Sequence, residues 1–378
     1  NHLHQSHIHN KYKLASKYMI DINATSNSLH VADSNACTKQ IAFTTTSFAL
    51  CAAIAYISRS TKNRRFQKRN HYRVETLADL VCVVSYAAAV ATAIVLGASR
   101  SYAFFKSTDP WPSPVGLSMG IGSVFVFQIV LVCVHYMRHR FEGDALTIRV
   151  DKPELNFRKE LIAHLMRWEG FALLLPYLCL TWMFGLMPES YYELDARNTC
   201  VPVMDFFDPT LLWMQLLCVD FFMYLAHITE HRLSWLYRSG HKLHHKWRNP
   251  RLFDAFSGHI FDTTLMILIP LYLTANMVHA NCGSYIVFGT TYSAYLMIIH
   301  SEYALPWDSV ARNLGIGTAH DHNVHHTKVV YNFGHFFMVW DQLFGTYMDP
   351  RDVNKFRIYR GSKKTTTTTT QKSTVKNN

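Results

Sequence analysis

Seven apolar blocks, separated by charged or polar stretches, constrain this chain more than any other feature of its sequence. A helix that crosses a bilayer needs about 20 predominantly apolar residues, and most of the blocks approach that length. The 378 residues could instead hold two soluble domains, but apolar residues bunched in this way favour a membrane. We therefore predict an all-α fold, a polytopic membrane helical bundle, from blocks at residues 41–57, 76–98, 117–137, 171–187, 210–226, 260–278 and 284–299.

Loop charge predicts how this bundle is oriented. The formal net charge is +11, but the basic residues lie beside apolar blocks, so membrane orientation explains them better than nucleic acid does. The loop at 59–73 holds seven basic residues and no acidic residue, which places it in the cytoplasm, and the acid-rich segment 188–209 fits the opposite side. Counting crossings then puts the ends of the fifth and seventh blocks on the cytoplasmic face and residues 1–40 in the lumen.

Histidines gather at the cytoplasmic ends of these blocks, in three clusters. The clusters are His227-Ile-Thr-Glu-His231, His241-Lys-Leu-His244-His245 and His322-Asn-Val-His325-His326. Residues four apart share one helix face, so each cluster can direct imidazoles at a metal ion. A catalytic zinc typically takes three protein ligands, so eight histidines fit two ions better than one. Imidazole suits Zn, Cu, Fe and Ni, and the ligands alone do not name the metal.

Chance pairing and a peptidase site both account poorly for these histidines. A single HxxxH pair arises by chance on helix surfaces, but chance does not account for two HxxHH clusters as well. The first cluster reads HITEH rather than HExxH, so Glu230 is not where the base of a metalloprotease would lie. This spacing counts against peptide hydrolysis.

The histidine clusters and their surroundings resemble the fatty acid hydroxylase and sterol desaturase superfamily. HxxxH, HxxHH and HxxHH occur in order, with a membrane hairpin between the second and the third. His300-Ser301-Glu302 follows the hairpin, and the run from Trp340 to Thr346 looks like the closing signature of the superfamily. The resemblance covers roughly residues 205–350, and the stretch 299–320 looks most like sterol C5-desaturases.

This resemblance implies a centre of two iron ions held almost entirely by histidine, with O₂ as the oxidant. Electrons would come from NAD(P)H through cytochrome b5 or a reductase. The protein would lie in the endoplasmic reticulum membrane, where a lipid substrate enters a cytoplasm-facing active site laterally. His300 resembles a position that completes the metal shell, which gives a predicted ligand set of His227, His231, His241, His244, His245, His300, His322, His325 and His326.

Several residues near the clusters carry separate predictions. His259 resembles the histidine of the superfamily's HPxE/D segment and is a candidate ligand, a partner of a ligand or a helix-end residue. His320 adjoins the third cluster and could orient a ligand ring. His335 and His279 are predicted to be interfacial. Asp220 is an ionisable residue inside the fifth block, which indicates either function or a hydrogen bond to a neighbouring helix.

The predicted domain organisation follows the blocks and the resemblance. It comprises a disordered polar tail at 1–40, N-terminal transmembrane helices and a polar loop at 41–170, the superfamily-like catalytic domain at 171–350, and a basic low-complexity tail at 351–378. The histidine clusters form a helical cap on the cytoplasmic face of the bundle. Eight scattered cysteines without a CxxC pair predict neither a disulfide framework nor a zinc ribbon.

The leading functional hypothesis is a membrane-bound di-iron oxidoreductase that uses O₂ to hydroxylate or desaturate a lipid, with a sterol as the substrate. A fatty-acyl or sphingoid-base hydroxylase on the same scaffold is the alternative within the enzyme class. A metal-binding membrane protein without turnover, such as a zinc transporter, is an alternative from another class. Transporters place ionisable groups in mid-membrane, whereas these clusters lie at block ends, which favours the enzyme.

Overall fold

A computed structural model describes residues 34–60, 72–106, 114–142, 148, 156–166 and 168–353. Within these residues the chain is all-helical, and no strands pair into a sheet. The principal helices are α1 (Ser34–Ser60), α2 (Leu77–Lys106), α3 (Pro114–Glu142), α4 (Phe157–Leu165), α5 (Trp168–Met183), α6 (Pro209–Arg232), α7 (Ile260–Met277), α8 (Cys282–Ile299), α9 (Asp308–Asn313), α10 (Ala319–Lys328) and α11 (Val339–Leu343).

Six of the described helices are long and apolar enough to cross a membrane, namely α1, α2, α3, α6, α7 and α8. The prediction of an all-α polytopic membrane bundle is confirmed. The fourth apolar block differs from the prediction, because it forms the 16-residue helix α5 with Pro176 in its interior. At 16 residues α5 is shorter than the six candidate membrane-spanning helices. It begins just after α4, and Trp182, near its other end, packs against Tyr192.

Helix α6 is the centre of the bundle. It packs against α1, α2, α7 and α8, and 61% of its most apolar window is buried by protein. Only 6% of the corresponding window of α3 is buried, so α3 presents most of its surface outward while one side packs against α8. The last turns of α6 carry His227 and His231. Helix α8 is buried to the same extent, so one of the two most buried of these six helices holds the first histidine cluster.

Helix α7 contains a π-helical turn at Thr264–Leu268. Pro270 follows this turn and has no N–H to donate to the carbonyl of Met266, four residues earlier, so the regular hydrogen-bond ladder cannot continue through it. Isolated π turns occur often at functional sites. Here the widened turn directs Met266 and Ile267 toward a cavity beside the histidines.

A disulfide joins Cys37 of α1 to Cys200, across 163 residues of sequence. The expectation that the cysteines form no disulfide framework therefore misses one bond, because a pair so far apart leaves no spacing signal. Next to it, the side chain of Gln40 donates to Thr210 at the first turn of α6. The disulfide thus lies at the end of α6 opposite to His227 and His231, since 24 helical residues span about 36 Å.

The predicted tails lie largely outside the described residues, as does most of the basic loop at 59–73. Helix α1 begins at Ser34, inside the segment expected to be a disordered tail. At the other end, Pro350–Asp352 forms a short 3₁₀ turn, and the description stops at Val353.

Candidate metal centre

The structure brings all nine predicted ligands into two adjacent groups. The first group is His227, His231, His241, His245 and His325, and the second is His244, His300, His322 and His326. Within each group the candidate ligand atoms lie within 4.8 Å of one another. All nine residues are buried except His244, which is half-buried. Two compact groups are what a two-ion centre requires.

The assignment of histidines to the groups follows helix geometry. In each HxxHH cluster the first and last histidines are four residues apart and join the same group, as His241 and His245 do. The fourth position, His244 or His325, points about 100° away from its neighbour and joins the opposite group. The second and third clusters therefore each supply ligands to both groups, so neither ion belongs to one sequence motif.

The spacing of the ring nitrogens fits metal coordination. In the first group the Nε2 atom of His245 lies 3.0 Å from those of His241 and His325. In the second group the Nε2 of His300 lies 3.0 Å from that of His322 and 3.4 Å from that of His244. Metal–imidazole bonds of about 2.0–2.1 Å place two ligand nitrogens about 2.9 Å apart at a right angle and about 3.4 Å apart at a tetrahedral angle. The residues present therefore fit a metal ion in each group.

Backbone carbonyls hold several of the rings through their Nδ1 atoms. His227 donates to the carbonyl of Phe333 at 2.7 Å, His244 to Ser257 at 3.0 Å and His325 to Tyr331 at 2.8 Å. His300 donates to the carbonyl of Leu296 at 2.6 Å, one turn earlier in α8. An Nδ1–H that donates to a carbonyl leaves Nε2 as the free lone pair, so these bonds fix both the tautomer and the direction of ligation.

His241 is held by carboxylates instead of a carbonyl. Its Nδ1 lies 2.8 Å from Asp262 Oδ1 and 3.2 Å from Glu230 Oε2. Burial lowers the pKa of His241, but these two carboxylates raise it, and the net result is a pKa of about 10. Asp262 belongs to the segment that follows His259, and Glu230 lies inside the first cluster. Glu230 therefore orients a ligand, in keeping with its exclusion as a protease base.

Burial favours the neutral form of four other ligands. It lowers the pKa of His245, His322 and His326 well below the usual value, and neighbouring histidines lower it further. Burial also lowers the pKa of His325. Only the neutral ring offers a lone pair to a metal, so the enclosed site favours the form that binds.

Two buried aspartates build the loop that closes the centre. Asp341 accepts hydrogen bonds from the backbone N–H groups of Phe333 and Gly334 at 2.8 and 2.7 Å. Asp220 of α6 accepts from the backbone N–H groups of residues 335–337 and from the indole of Trp340. Asp220 thus proves to be a hydrogen-bonding residue, one of its two predicted roles. The loop in turn places the carbonyl that holds His227.

His335 is the histidine whose environment the sequence did not indicate. It was expected to be interfacial, but it is 5% exposed, and its ring lies 4.9 Å from that of His227 and 5.4 Å from that of His322. Burial lowers its pKa to about 3. It belongs to neither metal group, and no motif spacing marks it, since the loop held by Asp220 brings it between the two groups.

His259 and His320, the two remaining candidates, lie outside the metal groups. His259 is exposed and accepts a hydrogen bond from the N–H of Phe261 as the N-cap of α7, which matches the helix-end alternative. His320 is buried, and its Nδ1 lies 3.5 Å from Asp308 Oδ2. His279 is exposed near the α7–α8 turn, as expected for an interfacial residue.

An apolar cavity opens onto the second group of histidines. Its empty space, counted together with the open space at its mouth, is about 950 Å³, and His241, His244 and His300 line it. Met266 and Leu296 form part of its apolar wall, and Gln128 of α3 and His164 of α4 contribute from the N-terminal half of the chain. A hydrocarbon group in this cavity would lie directly beside the histidines.

These features define a class of protein, a membrane-helix bundle with a buried nine-histidine centre beside an apolar cavity. The sequence model of the fatty acid hydroxylase family matches residues 212–346. An alternative squalene epoxidase from Phaeodactylum tricornutum is 43% identical over 254 residues, which are 66% of this chain and 70% of that protein. The chain belongs to the fatty acid hydroxylase and sterol desaturase superfamily, as its motifs predict.

Further relatives align over shorter regions. A Delta(7)-sterol 5(6)-desaturase from Eremothecium gossypii is 34% identical over 135 residues, 36% of each chain. A cholesterol 25-hydroxylase-like protein from Danio rerio is 32% identical over 135 residues, 35% of this chain and 53% of that protein. The chain therefore spans about half or less of the length of these two relatives. No solved structure matches it.

Proposed function

We propose that this protein is a di-iron oxidoreductase that uses O₂ to epoxidise a squalene-like isoprenoid. The relatives named above support oxidation of a sterol-type lipid in general. The alignment with the squalene epoxidase is longer than the other two, and this favours epoxidation. Its 254 aligned residues cannot fit within residues 212–378, which number only 167, so the likeness to the squalene epoxidase extends into the N-terminal helices. Those helices supply part of the cavity wall.

The observation that carries the proposal is the apolar cavity that ends at the histidines. Nine histidines suit two iron ions, and when bound these supply the redox chemistry that transfers an oxygen atom from O₂ to an unactivated carbon. The alkene takes one oxygen atom, and two electrons and two protons convert the other to water. The protein buries the ligand rings among other side chains and places the double bond beside His244 and His300.

A second opening also reaches the histidines. This cleft is lined by His245 of the first group and His326 of the second, and by the exposed side chains of Arg238, Lys242, Lys246 and Arg248. None of the described residues that line it is acidic. Basic charge beside a redox centre favours an acidic electron carrier, so we propose that a cytochrome b5-type donor, reduced from NAD(P)H, delivers the two electrons here.

The reaction is tested with purified protein in vesicles supplied with NADPH, a cytochrome b5-type carrier, its reductase and ¹⁸O₂. Offered squalene, a Δ7-sterol and cholesterol together, the protein is expected to give a squalene epoxide that contains one ¹⁸O atom, and only when the carrier is present. His325→Ala protein is the matched control. Oxidation of a sterol with squalene unchanged would contradict epoxidation, and no product from any lipid would contradict the oxidoreductase itself.

Sterol desaturation or hydroxylation is the second candidate. It is favoured by the resemblance of residues 299–320 to sterol C5-desaturases and by the desaturase and hydroxylase relatives, which align with one third of the chain. All three reactions take one O₂ and two electrons. They differ in which bond of the lipid lies beside the centre, so the same mixture of substrates distinguishes them.

We also propose that the histidine end faces the cytoplasm, in the endoplasmic reticulum membrane. The Cys37–Cys200 disulfide supports this orientation, since disulfides persist in oxidising compartments such as the ER lumen. It lies at the end of α6 opposite to the histidines, in the acid-rich segment that loop charge assigns to the lumen. Disulfide chemistry and loop charge therefore agree independently.

The orientation is tested by thiol labelling in sealed microsomes. After treatment with a membrane-impermeant reductant, an impermeant maleimide is expected to leave Cys200 unmodified until detergent opens the vesicles. A cysteine introduced as His259→Cys, at the exposed N-cap of α7, is expected to react without detergent. Labelling of Cys200 in intact vesicles would place the histidines on the lumenal side and refute the orientation.

A further inference from the structure

The cavity beside the metal centre has a neighbour in the membrane-spanning part of the bundle. A second cavity, of about 610 Å³ counted together with the open space at its edge, lies between α3, α7 and α8. Gln128, Phe256, Ile267 and Leu296 line both cavities, so the two cavities are neighbours that share these four side chains. We call the combined space the deep channel. It extends the site well beyond the volume next to the histidines.

Helix α8 gives the length of the deep channel. His300 caps α8 at the metal end, and Tyr285 lines the far end, fifteen residues earlier. At 1.5 Å per residue this separation is about 22 Å. At the far end Tyr285 packs edge-to-face against Tyr191, at a centroid distance of 5.2 Å. The deep channel is therefore elongated along α8, a shape that suits an extended chain lying beside this helix.

The walls of the inner half are almost wholly apolar. Leu178, Ile286 and Leu271 line it, and the hydroxyl of Ser293 already donates to the carbonyl of Thr290. The hydroxyl of Tyr292 is in contact with Met223 Sδ. The described residues that line this half include no carboxylate, imidazole, ammonium or guanidinium group. Apart from the amide of Gln128 and the hydroxyls of tyrosine and serine, its lining is apolar, so it suits a hydrocarbon, and a charged group would enter without a charged partner.

Two glycines leave the space open. Gly120 of α3 and Gly289 of α8 both line the inner half. A Cβ added at Gly289 would meet only Val124 Cγ2 at 3.9 Å, and one added at Gly120 would meet only Ile286 Cγ1 at 3.9 Å. Alanine therefore fits at either position, whereas a longer side chain must project into the channel. Gly116 differs, because a Cβ there would lie 2.6 Å from Cys282 Sγ and disturb helix packing.

We infer that the inner half of the deep channel is a binding subsite for the distal part of an elongated isoprenoid chain. Gly120 and Gly289 set how long a chain it accepts. The double bond to be oxidised lies beside His300, and the rest of the chain extends along α8 toward Tyr285. This inference rests on the proposed function for the identity of the chain, but the subsite can be tested by binding without turnover.

The test compares Gly289→Leu with Gly289→Ala in purified protein. Wild type and Gly289→Ala are expected to bind squalene equally, whereas Gly289→Leu should weaken squalene binding at least about tenfold. An isoprenoid alkene with half as many isoprene units should bind all three within about twofold. Equal loss of both ligands, or unchanged squalene binding in Gly289→Leu, would overturn the subsite.

A crosslinking measurement on wild-type protein avoids any folding defect of the variants. Squalene with a diazirine at one terminus is expected to label residues 285–293 from the distal end and residues near His300 from the reactive end. Labels confined to the lipid-facing surface of α3 would overturn the subsite even if squalene is oxidised. Protein that neither oxidises nor binds squalene would instead contradict the proposed function.

Discussion

Removing two histidines of one metal group is expected to cost one ion per chain, whereas removing one histidine from each group should cost both. The variant His227→Ala with His325→Ala changes two ligands of the first group, and its second group stays intact. The variant His227→Ala with His322→Ala changes both groups. Metal per chain, measured by mass spectrometry of protein purified with iron retained, should be about one and about zero respectively, against two in wild type.

Activity should fall at least about 100-fold in either double variant, because even the partners of metal ligands typically change activity 10–100-fold. His259→Ala is the control, since this histidine is exposed and outside both groups, and it should retain both ions. His135 would be a poor control, because it is buried with its Nε2 3.5 Å from Glu302. One ion in active wild-type protein, or equal metal loss in the two double variants, would contradict the two-group centre.

The candidate ligands could be predicted from the sequence because their spacing is local. The i, i+4 relation places His322 and His326 on one helix face whatever the rest of the fold does. His300 needed the resemblance to the superfamily, because it stands alone at the end of α8. His244 and His325 each join the group opposite to that of the other two histidines in their cluster. This also follows from helix geometry, but only once the helices are packed together.

The parts that sequence reasoning missed depend on contacts between distant segments. His335 reaches the centre because Asp220, 115 residues earlier, holds its backbone N–H. Cys37 and Cys200 approach each other only when α1 packs beside α6. Neither relation leaves a periodic signal. The membrane bundle itself was predictable because apolar length is a property of each block separately, although α5 shows that an apolar block can form a helix shorter than its neighbours.

The proposed substrate also depends on packing that composition does not report. The sequence predicted a sterol, from the resemblance of residues 299–320. The deep channel between α3 and α8 suits an extended chain, and glycines occupy two of the positions where those helices line it. The N-terminal helices, which had no predicted role beyond spanning the membrane, therefore form one wall of the proposed substrate site.

Asp220→Ala is expected to destabilise the protein more than any other single substitution of a residue outside the metal groups. Asp220 is fully buried in α6, and its Oδ1 accepts from the N–H of Phe336 at 2.6 Å while Oδ2 accepts from the N–H of Phe337 at 2.9 Å. It also accepts from the N–H of His335 and from the indole of Trp340. Each donor left unsatisfied costs about 1–3 kcal/mol, so the loss should exceed about 3 kcal/mol.

A loss of this size is a large fraction of the stability of a typical domain, about 5–15 kcal/mol. We expect Asp220→Ala to lower protein abundance and the Tm and to release metal, because the loop that holds His227 through Phe333 would lose its anchor. Asp195→Ala, which changes an aspartate whose side chain is 40% exposed, should leave abundance, Tm and metal content unchanged. If Asp220→Ala kept normal stability and metal content but lost activity, Asp220 would act in the reaction itself. The four donors that converge on its carboxylate argue for the structural role.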